Sequence, residues 1–309
     1  MLIASCPLRI SLLGGSTDLE DFIKKYGYGQ VISFPVNLYT YVSINKRYDN
    51  KFLIQYSKTE TVNNISQIKN DVVRVVLEYF NIKTPITVAM NADIPSYGSG
   101  LAASSSFIIS MIKATSVFKG LNLSDYEICD LALFLERKFN PLVGRQDPNG
   151  CGLKGFKHLH FSKNKPNRLT LYDHTYFSNF NFSLISVGAG RKSTDILKSL
   201  NLDKRQSIYD KAAEGVKSIE SENYKQLNEL ILSSWEDKKS VSPLILNDDV
   251  LKIEKKLQNK KEVVSYKLCG AGGGGYMFVV SKKSQSLNVG FGFKVNIDNR
   301  GIRLWKLCI

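Results

Sequence analysis

From residue 1 to 13, and again from 30 to 56, side chains alternate in the two-residue period of a half-buried strand. Thr40, Val42, Ile44 and Lys46 fall on one side and Tyr39, Tyr41, Ser43 and Asn45 on the other. This predicts a sheet at the N-terminus. Over 66–80 the period becomes that of a helix, with Val72, Val73, Val76, Leu77 and Phe80 on one apolar stripe. Pro85 to Met90 reads as a further strand. A helix is predicted over 104–119, with serine at its cap and Gly120 at its end. Another covers Ser124 to Phe139, opened by Ser124 with Glu127 three residues on. Asn140 to Gly155, rich in Gly, Asn and Pro, reads as an irregular loop. Strand-like pieces return over 157–187, three or four helical stretches lie between 193 and 260, and two more strands follow. Strands and helices are partly segregated, so the fold class is α+β. The domain boundary falls near 165–175, dividing the chain into 1–170 and 171–309.

Between the last two predicted strands, Val263–Tyr266 and Tyr276–Val280, lies Lys-Leu-Cys-Gly-Ala-Gly-Gly-Gly-Gly-Tyr at 267–276. Gly270, Gly272 and Gly275 satisfy G-x-G-x-x-G, but a dinucleotide-binding loop of that kind opens a helix, and here a strand follows. A tight hairpin is one reading. It needs only one or two glycines, however, so the excess points to a loop whose backbone N–H groups approach an anion.

Composition narrows the classes of function. With 43% hydrophobic and 23% charged residues the chain is of ordinary globular make-up. No apolar run reaches membrane-spanning length and the start lacks the charged head of a signal peptide, so no membrane partner and a cytoplasmic location are expected. Five scattered cysteines, an odd number, are expected to be reduced thiols. His158 and His160 form a His-x-His without companion ligands and carry no metal assignment. The net charge is +14 and the pI about 9.4, but the lysines are dispersed in isolated pairs. They read as solvated faces, and no nucleic-acid partner is expected. Oligomeric state stays open, a homodimer included.

Gly98, Ser99, Gly100, Leu101, Ala102, Ala103, Ser104 and Ser105 form a second anion-binding candidate. The glycines free the backbone, and the serines sit where a helix begins; a Ser-rich cap and turn is the alternative. Glu136 and Asp147, eleven residues apart, could supply the two carboxylates of a phosphoryl-transfer site, one for Mg²⁺ and one for the attacking hydroxyl.

Three segments in order then resemble the GHMP kinase superfamily, the galactokinase, homoserine, mevalonate and phosphomevalonate kinase group. Pro7-Leu8-Arg9-Ile10-Ser11-Leu12-Leu13-Gly14-Gly15-Ser16-Thr17-Asp18 is similar to its first motif, 95–106 to its second, ATP-cradling motif, and 267–276 to its third. The resemblance implies a two-domain fold, with an N-terminal domain like one from a small-subunit ribosomal protein and a ferredoxin-like C-terminal domain. It implies ATP at 98–105, Mg²⁺ on Ser104 and Glu136, and Asp147 as catalytic base with Arg9 beside it. Gly14, Gly15, Thr17, Asp18, Gly272, Gly273 and Gly274 would face the substrate.

Two further segments narrow the branch. Ser186 to Leu197, with Arg191 and Ser193, and Trp235-Glu236-Asp237-Lys238-Lys239-Ser240 resemble segments of D-glycero-D-manno-heptose 7-phosphate kinases and related fucokinase domains. This implies phosphorylation of the anomeric hydroxyl of heptose 7-phosphate, on the way to nucleotide-activated heptose and surface polysaccharide. Arg191, Lys192, Lys238 and Lys239 would then hold the sugar's own phosphate. An unphosphorylated sugar acceptor is the nearer alternative. A catalytically silent ligand sensor is a second, because Gly-Leu-Gly-Ser-Ser of the second motif is here Gly100-Leu101-Ala102-Ala103-Ser104. Pro148 stands where the family commonly has Gln or Asn after its aspartate.

Overall fold

The long alternating runs of the first half become a sheet of eight strands: β1 (Leu2–Leu13), β2 (Tyr28–Lys46), β3 (Phe52–Gln55), β4 (Thr59–Val62), β5 (Ile86–Ala92), β6 (Phe156–Ser162), β7 (Arg168–Tyr172) and, from the end of the chain, β12 (Arg303–Lys306). The computed structural model describes residues 1–307 apart from 96–97, 165–166, 189–192 and 284–291. β2 pairs antiparallel with β1 on one edge. On the other it serves two neighbours, β5 along Thr40–Lys46 and β6 along Tyr28–Ser33. Only β3 on β5 is a parallel pairing among these strands. β12 pairs with β1, so a division at 170 leaves this strand on the side opposite its sheet.

A second sheet of four antiparallel strands comprises β8 (Phe180–Ser186), β9 (Val263–Leu268), β10 (Tyr276–Lys282) and β11 (Gly292–Val295), in the order β11-β8-β10-β9. β9 and β10 flank the glycine run, as its apolar borders predict.

Helices α1 (Glu20–Tyr26), α2 (Asp71–Tyr79), α3 (Ala103–Phe118), α4 (Asp125–Glu136) and α5 (Gln146–Gly152) belong to the first half. α6 (Thr175–Asn179), α7 (Ser193–Lys198), α8 (Gln206–Glu220), α9 (Tyr224–Val241) and α10 (Asp248–Gln258) belong to the second. The alternation decides which strand face is covered. Ala4, Cys6, Val42, Ile44 and Val88 lie beneath Val73 and Val76 of α2, Ile108 and Ile112 of α3 and Leu135 of α4. Leu8, Ile10 and Leu12 of β1 and Phe34 of β2 instead join Phe182, Leu184, Phe278 and Val280 of the second sheet, with Leu227 and Ile231 of α9. Burying side chains of this size contributes roughly 1.5–3 kcal/mol each. That shared core fixes the two sheets relative to each other, and the cleft described below opens along their junction.

The structure departs from the expected elements in two places that matter for chemistry. α3 is not capped by a serine. Its N-cap is Ala102, in the left-handed region at φ 60°, with no side-chain cap hydrogen bond. The 140–155 segment is not irregular throughout, because α5 lies inside it. Pro148 is tolerated there as the third helical residue, where a backbone N–H has no intrahelical acceptor. α4 has the expected cap, Ser124 accepting from the Glu127 N–H and Glu127 reaching back to Ser124.

No helix among the described residues is long and apolar enough to cross a membrane. Cys6, Cys129, Cys151 and Cys269 are buried free thiols. His158 bonds Gln30 at 2.9 Å, and no cluster of three metal-ligating side chains occurs among the described residues.

Candidate active site

The cleft has a volume of about 220 Å³. The end of β1, the loop into α3, the end of α4, the start of α5, the second half of α9 and the start of the glycine run all reach it. Chain segments from positions 9 to 271 thus meet at one place.

Arg9 is the hub. Its main-chain N–H donates to Leu101 O at 3.1 Å and its Nη1 to Gly100 O at 2.9 Å, which tie the phosphate-loop candidate to β1. Its Nη2 donates to Asp147 Oδ1 at 2.6 Å. Burial opposes the arginine's charge, but the adjacent carboxylate outweighs it and raises the guanidinium above its ordinary value. Arg9 is buried, whereas the Asp147 side chain keeps 25% of its surface open to the cleft. The carboxylate is therefore held from behind and presented in front.

Gly98, Ser99, Gly100, Ala102, Ala103, Ser104 and Ser105 line the cleft, while Leu101 turns into the core. Since Ala102 caps nothing, the first-turn N–H groups of α3 have no side-chain acceptor and face the cleft with the positive end of the helix dipole behind them. The missing glycine costs about 1 kcal/mol of left-handed strain at Ala102 and no donor. The two glycine loops touch through their backbones: a Cβ on Gly270 would lie 2.3 Å from Gly100 Cα.

Ser104 and Ser105 are neighbours with different surroundings. Ser105 is buried and donates to Glu136 Oε2 at 2.5 Å, whereas Ser104 is exposed at the cleft, within reach of the same carboxylate. Glu136 is buried, and burial pushes its carboxyl up to about 7 despite these hydroxyls. It forms no ion pair with a described residue, and Asn140 Oδ1 nearby is buried without a partner among them.

Several expected substrate contacts are turned away from the cleft. Thr17 is fully buried, its hydroxyl bonded to Gly14 O at 2.8 Å and Gln30 O at 2.9 Å. Asp18 is also buried and accepts from the Gln146 main-chain N–H and Gln146 Nε2, both at 2.9 Å. It holds the first residue of α5, next to Asp147, instead of meeting solvent. Burial first, then the Asp147 charge, raises its carboxyl to about 6. Gly14 is a turn residue at φ 83°, pressed against Gln30 O, while Gly15 lines the cleft.

Lys238 faces the cleft, donating to Leu268 O at 3.1 Å and Gly270 O at 2.5 Å. Lys239 does not. It pairs with Glu236 at 2.7 Å and with the buried Glu254 at 2.8 Å. Gly270 and Ala271 line the cleft, but Gly272 packs on Ile245, the Gly273 N–H donates to Ile245 O, and Gly274 is buried. Arg191, Lys192 and the side chain of Ser193 lie outside the described residues. Lys267, buried and lining the cleft, received no role from the sequence. A lysine in an otherwise apolar strand end was the signal for it.

A helix N-terminus and two backbone loops facing an arginine-braced carboxylate define a phosphotransferase, built to hold phosphates against a hydroxyl acceptor. Comparisons with known proteins agree. Residues 66–155 match the family model of the GHMP kinases N terminal domain. The D-glycero-alpha-D-manno-heptose 7-phosphate kinase of Campylobacter jejuni is 26% identical over 97% of this chain and 98% of its own length. A D-glycero-D-manno-heptose 1-phosphate kinase from Bacteroides thetaiotaomicron shares the fold at a TM-score of 0.79 and 20% identity, covering all of both chains. The mevalonate kinase of Methanococcus jannaschii does so at 0.76 and 22%, over 96% of this chain and 98% of that one. Residues 66–155 thus match a GHMP kinase N-terminal domain, and the chain, similar over its length to kinases of this kind, is an ATP-dependent kinase with a hydroxyl acceptor.

Proposed function

We propose that this kinase phosphorylates the anomeric hydroxyl of D-glycero-D-manno-heptose 7-phosphate, giving the 1,7-bisphosphate. The observation that carries the chemistry is the Arg9–Asp147 pair opposite the uncapped start of α3 within one cleft. Asp147 orients the acceptor hydroxyl and accepts its proton as that oxygen bonds the γ-phosphorus and the bond from that phosphorus to the bridging oxygen breaks, releasing ADP. Arg9 supplies the positive charge that offsets the transferring group, and the α3 amides hold the nucleotide's phosphates.

Glu136, Ser104 and Asn140 suit Mg²⁺. They offer hard oxygen donors, one of them a buried carboxylate without a basic partner among the described residues. When bound, the ion neutralises charge on the nucleotide's phosphates. The acceptor assignment draws on the full-length similarity to the Campylobacter kinase and on Lys238 in the cleft wall. Leu197, Leu200, Ile208 and Val241 on the same wall favour a second reading, an unphosphorylated sugar with an apolar face.

A coupled ADP-release assay with Mg²⁺ and a panel of sugars and sugar phosphates tests both. Heptose 7-phosphate should give the highest kcat/KM, and preference for a neutral sugar would favour the second reading. Asp147→Asn should lower turnover at least about 100-fold with the melting temperature unchanged. Near-normal turnover would remove Asp147 from its role.

A further inference from the structure

Lys267 comes into the cleft from the end of β9 and Lys238 from α9. Lys267 Nζ donates to Leu12 O at 2.8 Å, and Lys238 Nζ to the carbonyls of Leu268 and Gly270. Neither meets a carboxylate among the described residues, although Lys267 is buried and ammonium groups in such places are ordinarily paired. Three nearby carboxylates are already committed, and Glu136 lies across the cleft. Asp147 is taken by Arg9, Asp237 by Lys211 and Glu254 by Lys239. When both are protonated, two N–H bonds of Lys267 and one of Lys238 have no protein acceptor among the described residues.

We infer that Lys267 and Lys238 form a two-lysine site for a phosphate dianion, and that the pair takes up a proton when the phosphate arrives. This deepens the sugar-phosphate reading and rests on it for the source of the phosphate. The pair sits on the glycine-run side of the cleft, braced on the end of β1, and the α3 amides form a separate anion site of the same cleft. The acceptor's own phosphate is the group that fits there.

The charged and titratable groups facing the pair are Arg9 from β1, with Asp147 of α5 behind it, the Cys269 thiol just past β9, and Glu136 of α4 across the cleft. Burial, then the Lys267 charge, draws Lys238 down to about 7. Burial, with Arg9 adding to it, draws Lys267 to about 8. Burial raises the Cys269 thiol, so it contributes no charge near neutrality. At pH 8 the empty site is thus short of its full charge, and a dianion restores it.

The test is calorimetric titration at pH 8 in two buffers of different ionisation heat, with heptose 7-phosphate, a non-hydrolysable ATP analogue with Mg²⁺, and inorganic phosphate as separate ligands. Uptake of about one proton per sugar phosphate is expected, with the uptake at least halved and binding weakened at least about tenfold in Lys267→Met. Uptake with the nucleotide analogue but not the sugar phosphate would overturn the acceptor as source and give the pair to the nucleotide. No uptake by the wild type with any of the three ligands would overturn the site, as would a folded Lys267→Met that binds like the wild type. Should that variant not fold, Lys238→Met and the wild-type uptake decide. Turnover of heptose 7-phosphate without uptake sinks the two-lysine site alone. Uptake with inorganic phosphate but no turnover of heptose 7-phosphate sinks the substrate assignment alone.

Discussion

Replacing Gly270 by alanine probes the contact on which the cleft depends. The residue sits at φ 70°, and the added Cβ would lie 2.3 Å from Gly100 Cα, against the 3.4 Å at which ordinary contact begins. Gly100 Cα is backbone and the new Cβ is fixed rigidly to its own, so the loops must separate by about 1 Å; the left-handed conformation adds about 1 kcal/mol of strain. Gly100 O accepts the Arg9 Nη1 hydrogen bond at 2.9 Å, and a displacement of that size breaks it. Arg9 also holds Asp147, so the shift reaches the carboxylate, and a misplacement of about 1 Å lowers kcat/KM by about 100-fold. Gly27→Ala is the control: its φ is 85° and nothing lies within 4 Å of the new Cβ. It should lose about 1 kcal/mol of stability and no activity. Steady-state kinetics with thermal melts on both variants checks this. Gly270→Ala within threefold of wild-type kcat/KM, or Gly27→Ala impaired to the same degree, would refute the reasoning.

Three other outcomes are expected. Glu136 is raised from 4.5 to about 7 in the folded protein, so its stabilising contribution is complete below pH 4.5 and lost as pH rises through 7. Glu136→Gln should therefore stabilise the ligand-free protein at pH 8, by about 3 kcal/mol, and give little at pH 4.5; equal melting temperatures at pH 8 would exclude this. Lys239→Ala should cost about 2 kcal/mol by leaving the buried Glu254 without its cation and with only the Trp235 Nε1–H as donor among the described residues, without changing the KM of any sugar phosphate in the ADP assay. Thr17→Val removes the hydroxyl that also accepts the Gln30 N–H at 3.1 Å, and should cost about 1–3 kcal/mol in chemical denaturation while leaving acceptor KM unchanged.

Much of the architecture was legible along the chain. The period-two runs at 1–13 and 30–56 are β1 to β3, the stripe from Val72 to Leu77 is α2, and the Ser124–Glu127 cap opens α4. The helix over 146–152 was hidden because its composition is that of a loop, and what holds it comes from elsewhere. Asp18 anchors its first residue, and Lys157 Nζ donates to the carbonyls of Gly150, Leu153 and Gly155 at its end. Ala102 was legible as a substitution and not as a left-handed cap, since that conformation is imposed by the loop around it.

The sequence by itself pointed to the class of protein through the resemblance of three segments in order, and it located the glycine excess, the helix starts and the apolar periods, because these are local properties. Only the tertiary structure decided which neighbour does what. Adjacent helical residues point about 100° apart, so Lys238 enters the cleft while Lys239 is spent on Glu254, and Ser104 is open while Ser105 is buried on Glu136. The pairing of Arg9 with Asp147, the inward turn of Thr17 and Asp18, and the meeting of Lys238 with Lys267 all join residues far apart in the chain. Such contacts are set by the packing of the two sheets on their shared core, which no local pattern encodes.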